Sequence, residues 1–313
     1  MGREEPLWAT HLKLLIVAAS WGAAWTAGRW LALDLPPITG AWLRYSIAVP
    51  LFIAWLFLAE GRNIPTRGEW KRIVVIGLFS TFLYQVLFMF GMGYTAAGDA
   101  SLVITFNPLF TALLAVPFLG RPITKRLAGG LALGITGIAI IFSHSPNVDI
   151  PVDERMLGDL LIAFAALSWA CATILIKRAM SEPAGDSEKP LSALAITVWA
   201  SVTGLAFLTP WAGWETMENG IPSIGLWTWI SILFLAIIST VVSYVWFAGG
   251  VDKIGASQAA LYVFLVPPFG ILAGWLLLDE KLGWTLVSSF ILIISGVILA
   301  SSTPRGELSE VTQ

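Results

Sequence analysis

Apolar residues run along this chain in blocks of around 20, each long enough to cross about 30 Å of hydrocarbon as a helix. The pattern predicts ten spans, at 12–33, 37–58, 71–92, 97–118, 125–143, 157–177, 191–212, 226–249, 256–278 and 283–302. Short polar punctuation separates them, rich in Pro, Gly and Asp, as at Leu35-Pro36-Pro37 and Glu280-Lys281-Leu282-Gly283. The longest connections, 144–156 and 178–190, carry six of the 20 acidic residues, and no stretch is left for a soluble domain. A polar tail from Thr303 is expected to be disordered.

The blocks repeat. Ser-Leu-Val-Ile-Thr-Phe-Asn-Pro-Leu-Phe, from Ser101 to Phe110, returns as Ala-Leu-Tyr-Val-Phe-Leu-Val-Pro-Pro-Phe, from Ala260 to Phe269. Pro108 and Pro267 are 159 residues apart (267 − 108), and the same offset pairs Ser80-Thr81 with Ser239-Thr240, Phe88 with Phe247, Gly91 with Gly250 and Gly137 with Gly296. A repeat of this kind decides architecture before any single motif does.

Composition makes the membrane reading firm. Of 313 residues, 57% are hydrophobic and 12% charged, with mean hydropathy +0.80, whereas a soluble domain carries about 25% charge. The one cysteine, Cys171, lies in an apolar block and reads as a packing residue. The N-terminus lacks the basic region and small-residue cleavage site of a signal peptide, so the first block is expected to be retained.

Charge then orients the bundle. With the N-terminus in the cytoplasm, Arg3, Lys13, Arg62, Arg67, Lys71, Arg72, Arg121, Lys125, Arg126, Lys177, Arg178, Lys189, Lys253 and Arg305 all fall inside, and only Arg155 and Lys281 fall outside. Five spans is an odd number, so the second copy must cross the membrane in the opposite sense to the first. The expected fold is an all-α membrane protein of ten transmembrane helices in two five-helix inverted-topology repeats, residues 1–146 and 147–302, followed by a cytoplasmic tail, 303–313. Inverted halves of this kind are the architecture of secondary transporters.

The residues within each half resemble the EamA repeat of the drug/metabolite transporter superfamily. Ala19-Ser20-Trp21-Gly22 through Arg29 resembles the repeat's opening, and Ser168-Trp169 to Lys177 echoes it. Each half closes with small residues (97–101; 256–260), a proline-centred span and a glycine-bearing last span (Gly134 and Gly137; Gly296). Leu276 to Leu282 is similar to the family's Leu-rich turn, with Asp279 where glycine is usual, while Gly120-Arg121-Pro122 lacks the acidic residue. The resemblance implies a carrier of small metabolites, commonly amino acids and their derivatives and often outward. It also implies a central cavity lined by the first, third and fourth spans of each repeat.

Several residues are candidates to line that cavity. Arg44 lies about seven residues into the second span, and the matching span 191–212 has no Lys or Arg. A charge inside hydrocarbon is costly unless it faces protein or water. It reads either as an anchor for a substrate carboxylate or phosphate, or as an arginine held by backbone carbonyls, Asp99 or Asp34. Arg29, nearer the outer end of its span, is expected to snorkel to the interface. Pro108 and Pro267 should kink their helices, as hinges or static bends, with Asn107 and Thr105 beside the first kink and Tyr262 before the second. Thr81, Tyr84 and Gln85 match Thr240, Ser243 and Tyr244 under the 159 offset, as pore-lining groups or interhelical hydrogen bonds. Trp21, Trp25 and Trp169 lie inside their spans, unlike the interfacial tryptophans, and suit apolar, aromatic or cationic solutes.

The acidic residues Asp34, Asp99, Asp159, Asp252, Asp279 and Glu280 and both histidines fall at span ends. That favours facilitated diffusion, exchange or potential-driven movement over obligate proton coupling, with Asp99 the one residual candidate. It also leaves no facing aspartates, buried histidine or His-Glu-x-x-His cluster for an intramembrane hydrolase. The function expected is therefore not enzymatic: secondary transport, by alternating access in the plasma (inner) membrane, of amino acids or related compounds outward. Uptake or exchange of quaternary amines or nucleotide sugars is the alternative, and a passive channel the competing class. The expected partners are a small-molecule substrate and the lipid bilayer, with no nucleic acid, cofactor or metal.

Overall fold

The computed structural model describes residues 6–120, 122–183 and 190–301. The expected tail at 303–313, and Arg3, Arg121, Lys189 and Arg305 of the charge argument, lie outside the described residues. Among the described residues, ten helices are long and apolar enough to cross a membrane: α1 (Leu7–Asp34), α2 (Pro37–Glu60), α3 (Arg67–Tyr94), α4 (Ala97–Leu119), α5 (Lys125–His144), α6 (Val152–Ser181), α7 (Ala193–Asn219), α8 (Leu226–Ile254), α9 (Gln258–Leu278) and α10 (Trp284–Ser301). The chain is an all-α, multi-pass membrane protein. Five helices, α1, α3, α6, α7 and α8, overrun the hydropathy bounds by several residues, because polar residues at their ends are taken up by caps or by other parts of the protein.

Local chemistry sets the ends. Pro37 opens α2, where its missing N–H costs nothing. Thr66 and Glu69 form a reciprocal capping box at the start of α3, with Glu69 accepting from the Thr66 amide at 2.7 Å. Thr124 and Ser192 each accept an amide of the first turn of α5 and α7.

The repeat is visible in the backbone. α4 ends in a left-handed residue, Gly120 (φ 64°), and α9 ends in another, Asp279 (φ 55°), which stand 159 residues apart (279 − 120). α4 tightens to 3-10 geometry over Ile104–Phe106 before restarting at Asn107. α9 does the same at Phe264 and Leu265, whose amides bond three residues back, and restarts at Val266. Each proline thus sits in the first turn of a restarted helix, where it clashes with nothing. α3 and α8 widen to π-helix over Leu78–Leu83 and Phe234–Val242, and the two widened stretches end 159 residues apart (242 − 83).

Packing follows the same exchange. α1 lies against α8 and α9, and α6 against α3 and α4; α2 pairs with α7, and α5 with α10. Adding or subtracting five from each label in the first contact gives the second. Glycines set the closest seams: a Cβ on Gly130 would fall 2.5 Å from the Gly296 carbonyl oxygen, and one on Gly296 2.5 Å from that of Gly130. Small residues allow such backbone approach where lipid supplies no hydrophobic force between helices.

Candidate functional site

A cavity of about 380 Å³ lies between the two halves. It is lined from α1 (Trp21, Ala24, Trp25), α2 (Arg44, Tyr45), α3 (Tyr84, Gln85, Phe88), α4 (Ile104, Thr105, Asn107, Pro108), α6 (Trp169), α8 (Ser239, Tyr244, Phe247) and α9 (Val263, Phe264, Val266). The first, third and fourth spans of both halves contribute, as the resemblance implies, and α2 adds Arg44 and Tyr45.

Nine of the 19 lining residues are aromatic. A chain of ring contacts runs Trp25–Phe88–Tyr84–Trp169–Tyr244–Trp21–Phe247, with centroids 5.2–6.5 Å apart. Such stacked, tilted and edge contacts hold each ring in place. Trp21 Nε1 donates to the Ser239 carbonyl at 3.0 Å, tying α1 to the π stretch of α8. Asn107 Nδ2 donates to the Ala166 carbonyl at 2.8 Å, so its amide nitrogen is occupied by α6.

Among the described residues, Arg44 is the only charged side chain of the lining. Its Nε and Nη2 donate to Thr240 Oγ1 at 3.2 and 2.8 Å, and its guanidinium lies 5.6 Å from the Tyr45 ring centre. Among the described residues no carboxylate is within ion-pair distance, so neither Asp99 nor Asp34 holds it. Gln85 is 1% exposed and its Oε1 has no hydrogen-bond partner.

Of the residues expected at the site, Trp21, Trp25, Arg44, Tyr84, Gln85, Asn107, Trp169, Tyr244 and Pro108 come together here. Thr81, Ser243, Tyr262 and Pro267 do not. Thr81 is buried against Gly204, where α3 meets α7. The Ser243 hydroxyl is spent on the Ile238 carbonyl at 2.8 Å, five residues back in the widened helix. Tyr262 bonds His11 Nδ1 at 2.7 Å and so joins α9 to the start of α1. Pro267 is buried behind Val266. Tyr45, Phe88, Phe247 and Phe264 line the cavity unforeseen; under the 159 offset Phe88 and Phe247 are equivalents, which was the available signal.

A second polar assembly lies where α1 and α3 end and α4 and α6 begin, and it corrects three expectations. Arg155, expected in an outer loop, is 2% exposed in the first turn of α6. α6 starts five residues earlier than hydropathy indicates, because this charge is solvated by protein: Nη1 donates to the Asn147 carbonyl at 3.3 Å and Nε lies 4.0 Å from Asp99 Oδ2. Arg29 does not snorkel. It donates to the carbonyls of Met92 (2.9 Å) and Thr95, where a cation complements the negative end of α3. Asp99 does stand at a span end, in the first turn of α4, but Asp159, expected at one too, lies seven residues into α6 because that helix starts at Val152; both are 0% exposed. Glu280, beyond α9, accepts from the amides of Ala97 (2.6 Å) and Gly98 (2.9 Å) and so caps α4 from the other half of the chain. Burial pushes the Glu280 carboxyl above its ordinary pKa, and those amides with Arg29 pull it back.

Ten apolar helices around a cavity roofed by aromatic rings define a polytopic membrane transporter. The chain belongs to the EamA-like transporter family, which matches residues 8–143 and again residues 156–302. Among similar proteins, an uncharacterized transporter of Archaeoglobus fulgidus is 28% identical over 294 residues, covering 94% of this chain and 97% of that one. A probable amino-acid metabolite efflux pump of Escherichia coli is 28% identical over 293 residues, covering 91% and 92%. A solved crystal structure at 18% identity superposes with a TM-score of 0.59 over 94% of this chain and 98% of its own, a likeness of fold alone.

Proposed function

We propose that this transporter exports amino acids or closely related carboxylates by alternating access of two inverted halves, residues 1–146 and 147–302. It works in the plasma (inner) membrane with both termini cytoplasmic. The observation that carries the substrate class is Arg44: a lone guanidinium in an aromatic wall, with no carboxylate in the lining to neutralise it. Arginine's planar fork matches a carboxylate. The rings take an apolar side chain. The volume falls within the range of small-molecule sites. The names of the efflux pumps from Escherichia coli and Salmonella typhimurium agree with this reading. A quaternary amine is disfavoured, since it would meet a fixed positive charge and no counter-charge.

The inversion is supported by the 159-residue offset shared by the terminal left-handed residues, the π stretches and the proline restarts. Counterflow into proteoliposomes tests the function. Internal tryptophan or leucine should accelerate uptake of the same labelled amino acid, saturably, and choline should not compete. Choline counterflow with no response to any amino acid or N-acyl amino acid would overturn the reading, and non-saturable flux would indicate a channel.

A further inference from the structure

The assembly at the junction of α3, α4 and α6 holds more negative charge than it neutralises. Asp99 and Asp159 are both 0% exposed. Asp159 Oδ1 accepts from the Thr95 hydroxyl at 2.5 Å, and Asp99 Oδ1 from Asn147 Nδ2 at 3.2 Å. The second oxygen of each, Asp159 Oδ2 and Asp99 Oδ2, is fully buried with no hydrogen-bond partner, and so is Arg155 Nε. The charged groups facing this point are Arg155 on α6, Arg29 on α1 and Glu280 from beyond α9. Lys281 and Asp149 pair with one another in an exposed position at 3.7 Å and neutralise themselves. Three carboxylates (Asp99, Asp159, Glu280) therefore meet two guanidiniums (Arg29, Arg155), one positive charge short, and the hydrogen bonds of Arg29 go to the carbonyls of Met92 and Thr95 rather than to a carboxylate. An isolated carboxylate charge in such a place costs many kcal/mol and is normally removed by taking up a proton.

We propose that Asp99 and Asp159 form a proton-binding site, and that the proton is carried on Asp159. Asp159 takes it because Asp99 has the guanidinium of Arg155 and the amide of Asn147 to support its charge, whereas Asp159 has one hydroxyl. The step is a simple protonation: the carboxylate takes one proton from water on the side to which the junction opens, and gives it up to water on the opposite side once the carrier has turned over. The parts that would separate are the start of α4, held by Glu280, and the start of α6, held by Asn147 and Asp99. Opening this end would expose the pair to water on one side for uptake, and release on the other side when the two halves exchange access would make the proton a counter-ion for transport. This last consequence rests on the transporter reading above; the proton site does not.

Infrared spectroscopy of the full chain in lipid nanodiscs tests the site without a substrate. At neutral pH the wild type should show the C=O stretch of a protonated carboxyl in a dry environment. Asp159→Asn should lose that band, and Asp34→Asn, a change at the bundle rim, should keep it. Since an amide resembles a protonated carboxyl, Asp159→Asn should also melt at the wild-type temperature. A sharp fall in melting temperature would mean that Asp159 is ionised and paired with Arg155, and would overturn the proposal. Should the variant fail to fold, the wild-type band and its shift in heavy water decide alone. A wild type without the band at neutral pH overturns the site, as does a band untouched by Asp159→Asn and Asp99→Asn. Stabilisation by sodium ion without the band assigns the pair to a metal cation and also overturns it. In proteoliposomes, an inward proton gradient should drive leucine efflux in the wild type, and Asp159→Asn should keep counterflow but lose the drive. Absence of leucine counterflow altogether would fail the substrate reading, while the presence or absence of the infrared band would still decide the proton site.

Discussion

Arg44 of α2 and Thr240 of α8 are joined across the two halves, the guanidinium Nε and Nη2 donating to one hydroxyl at 3.2 and 2.8 Å. That hydroxyl donates in turn to the Leu235 carbonyl at 2.7 Å, five residues back, a bond that the π geometry of α8 makes reachable. The widened helix therefore positions the arginine rather than merely lining the cavity. Arg44→Ala should weaken binding of a carboxylate substrate by roughly 1.5–3 kcal/mol, or about 10–150-fold in apparent affinity, the worth of a charge-assisted hydrogen bond. Arg44→Lys should recover part of it, and Thr240→Val should reduce affinity less than either. Concentration-dependent counterflow reads all three. Equal affinity in Arg44→Ala and wild type would remove Arg44 from the site.

Asp279 is the one non-glycine among the described residues with positive φ, at 55°. Its equivalent in the first half, Gly120, occupies the same conformation without a Cβ to strain it. Asp279 is exposed and lies outside both polar assemblies. Asp279→Gly should therefore raise stability by about 0.5–1 kcal/mol and leave transport unchanged. Thermal unfolding in detergent measures this; a lower melting temperature would show that the aspartate side chain supports the turn.

The seam between α5 and α10 should tolerate no added bulk. Gly130 and Gly296 each place the other's carbonyl oxygen 2.5 Å from where a Cβ would stand, and both contacts are to backbone, which cannot rotate away. Gly296→Leu should cost about 1–3 kcal/mol by forcing the helices apart. Gly213→Ala, where a Cβ meets nothing within 4 Å, serves as control. Comparable melting temperatures for the two variants would contradict the close seam.

What the sequence made legible and what it hid follow from range. The ten spans, the repeat and the proline restarts are written locally, in hydropathy and in one constant offset, so they can be read residue by residue. Arg44, Trp21, Trp25 and Trp169 stood out because a charge or a mid-span indole has to face something other than lipid. The polar assembly was hidden because its members come from residues 29, 95–99, 147–159 and 280, all at span ends, where solvent exposure is the natural expectation. Only the folded connections bury them. Arg155 and Asp159, one helical turn apart, were the local hint. The π stretches carry no sequence mark, so Ser243 and Thr81 could not be separated from cavity-facing neighbours such as Tyr244 and Tyr84.

Glu280 gives a pH signature of its own. Burial is the main influence on its carboxyl and raises its pKa in the folded state, against the opposing pull of the Gly98 and Ala97 amides and Arg29. A carboxyl that holds its proton more tightly when folded adds stability below its unfolded pKa of about 4.3, and loses that contribution as pH rises through the higher folded value. Wild type should therefore lose stability relative to Glu280→Gln as the pH is raised from about 4 into the neutral range. Paired thermal melts across that range read the difference. A wild-type advantage that instead grows with pH would mean that the amides of α4 outweigh burial.

The inversion itself can be checked at Ile123 and Leu282, which are equivalent under the repeat (282 − 123 = 159) and are 70% and 55% exposed. Each follows the left-handed residue that ends a proline-bearing helix, α4 or α9, and precedes the first turn of the next. In two parallel copies these turns would face the same side of the membrane; in two inverted copies they face opposite sides. Ile123→Cys and Leu282→Cys, each made in a Cys171→Ala background, should differ in reaction with a membrane-impermeant maleimide on intact cells. In the proposed topology the first turn, next to Lys125 and Arg126, faces the cytoplasm. Leu282→Cys should therefore label in intact cells and Ile123→Cys only after permeabilisation. Labelling of both from one side would leave the shared backbone geometry intact but would remove the symmetry that lets the halves exchange roles, and alternating access with it.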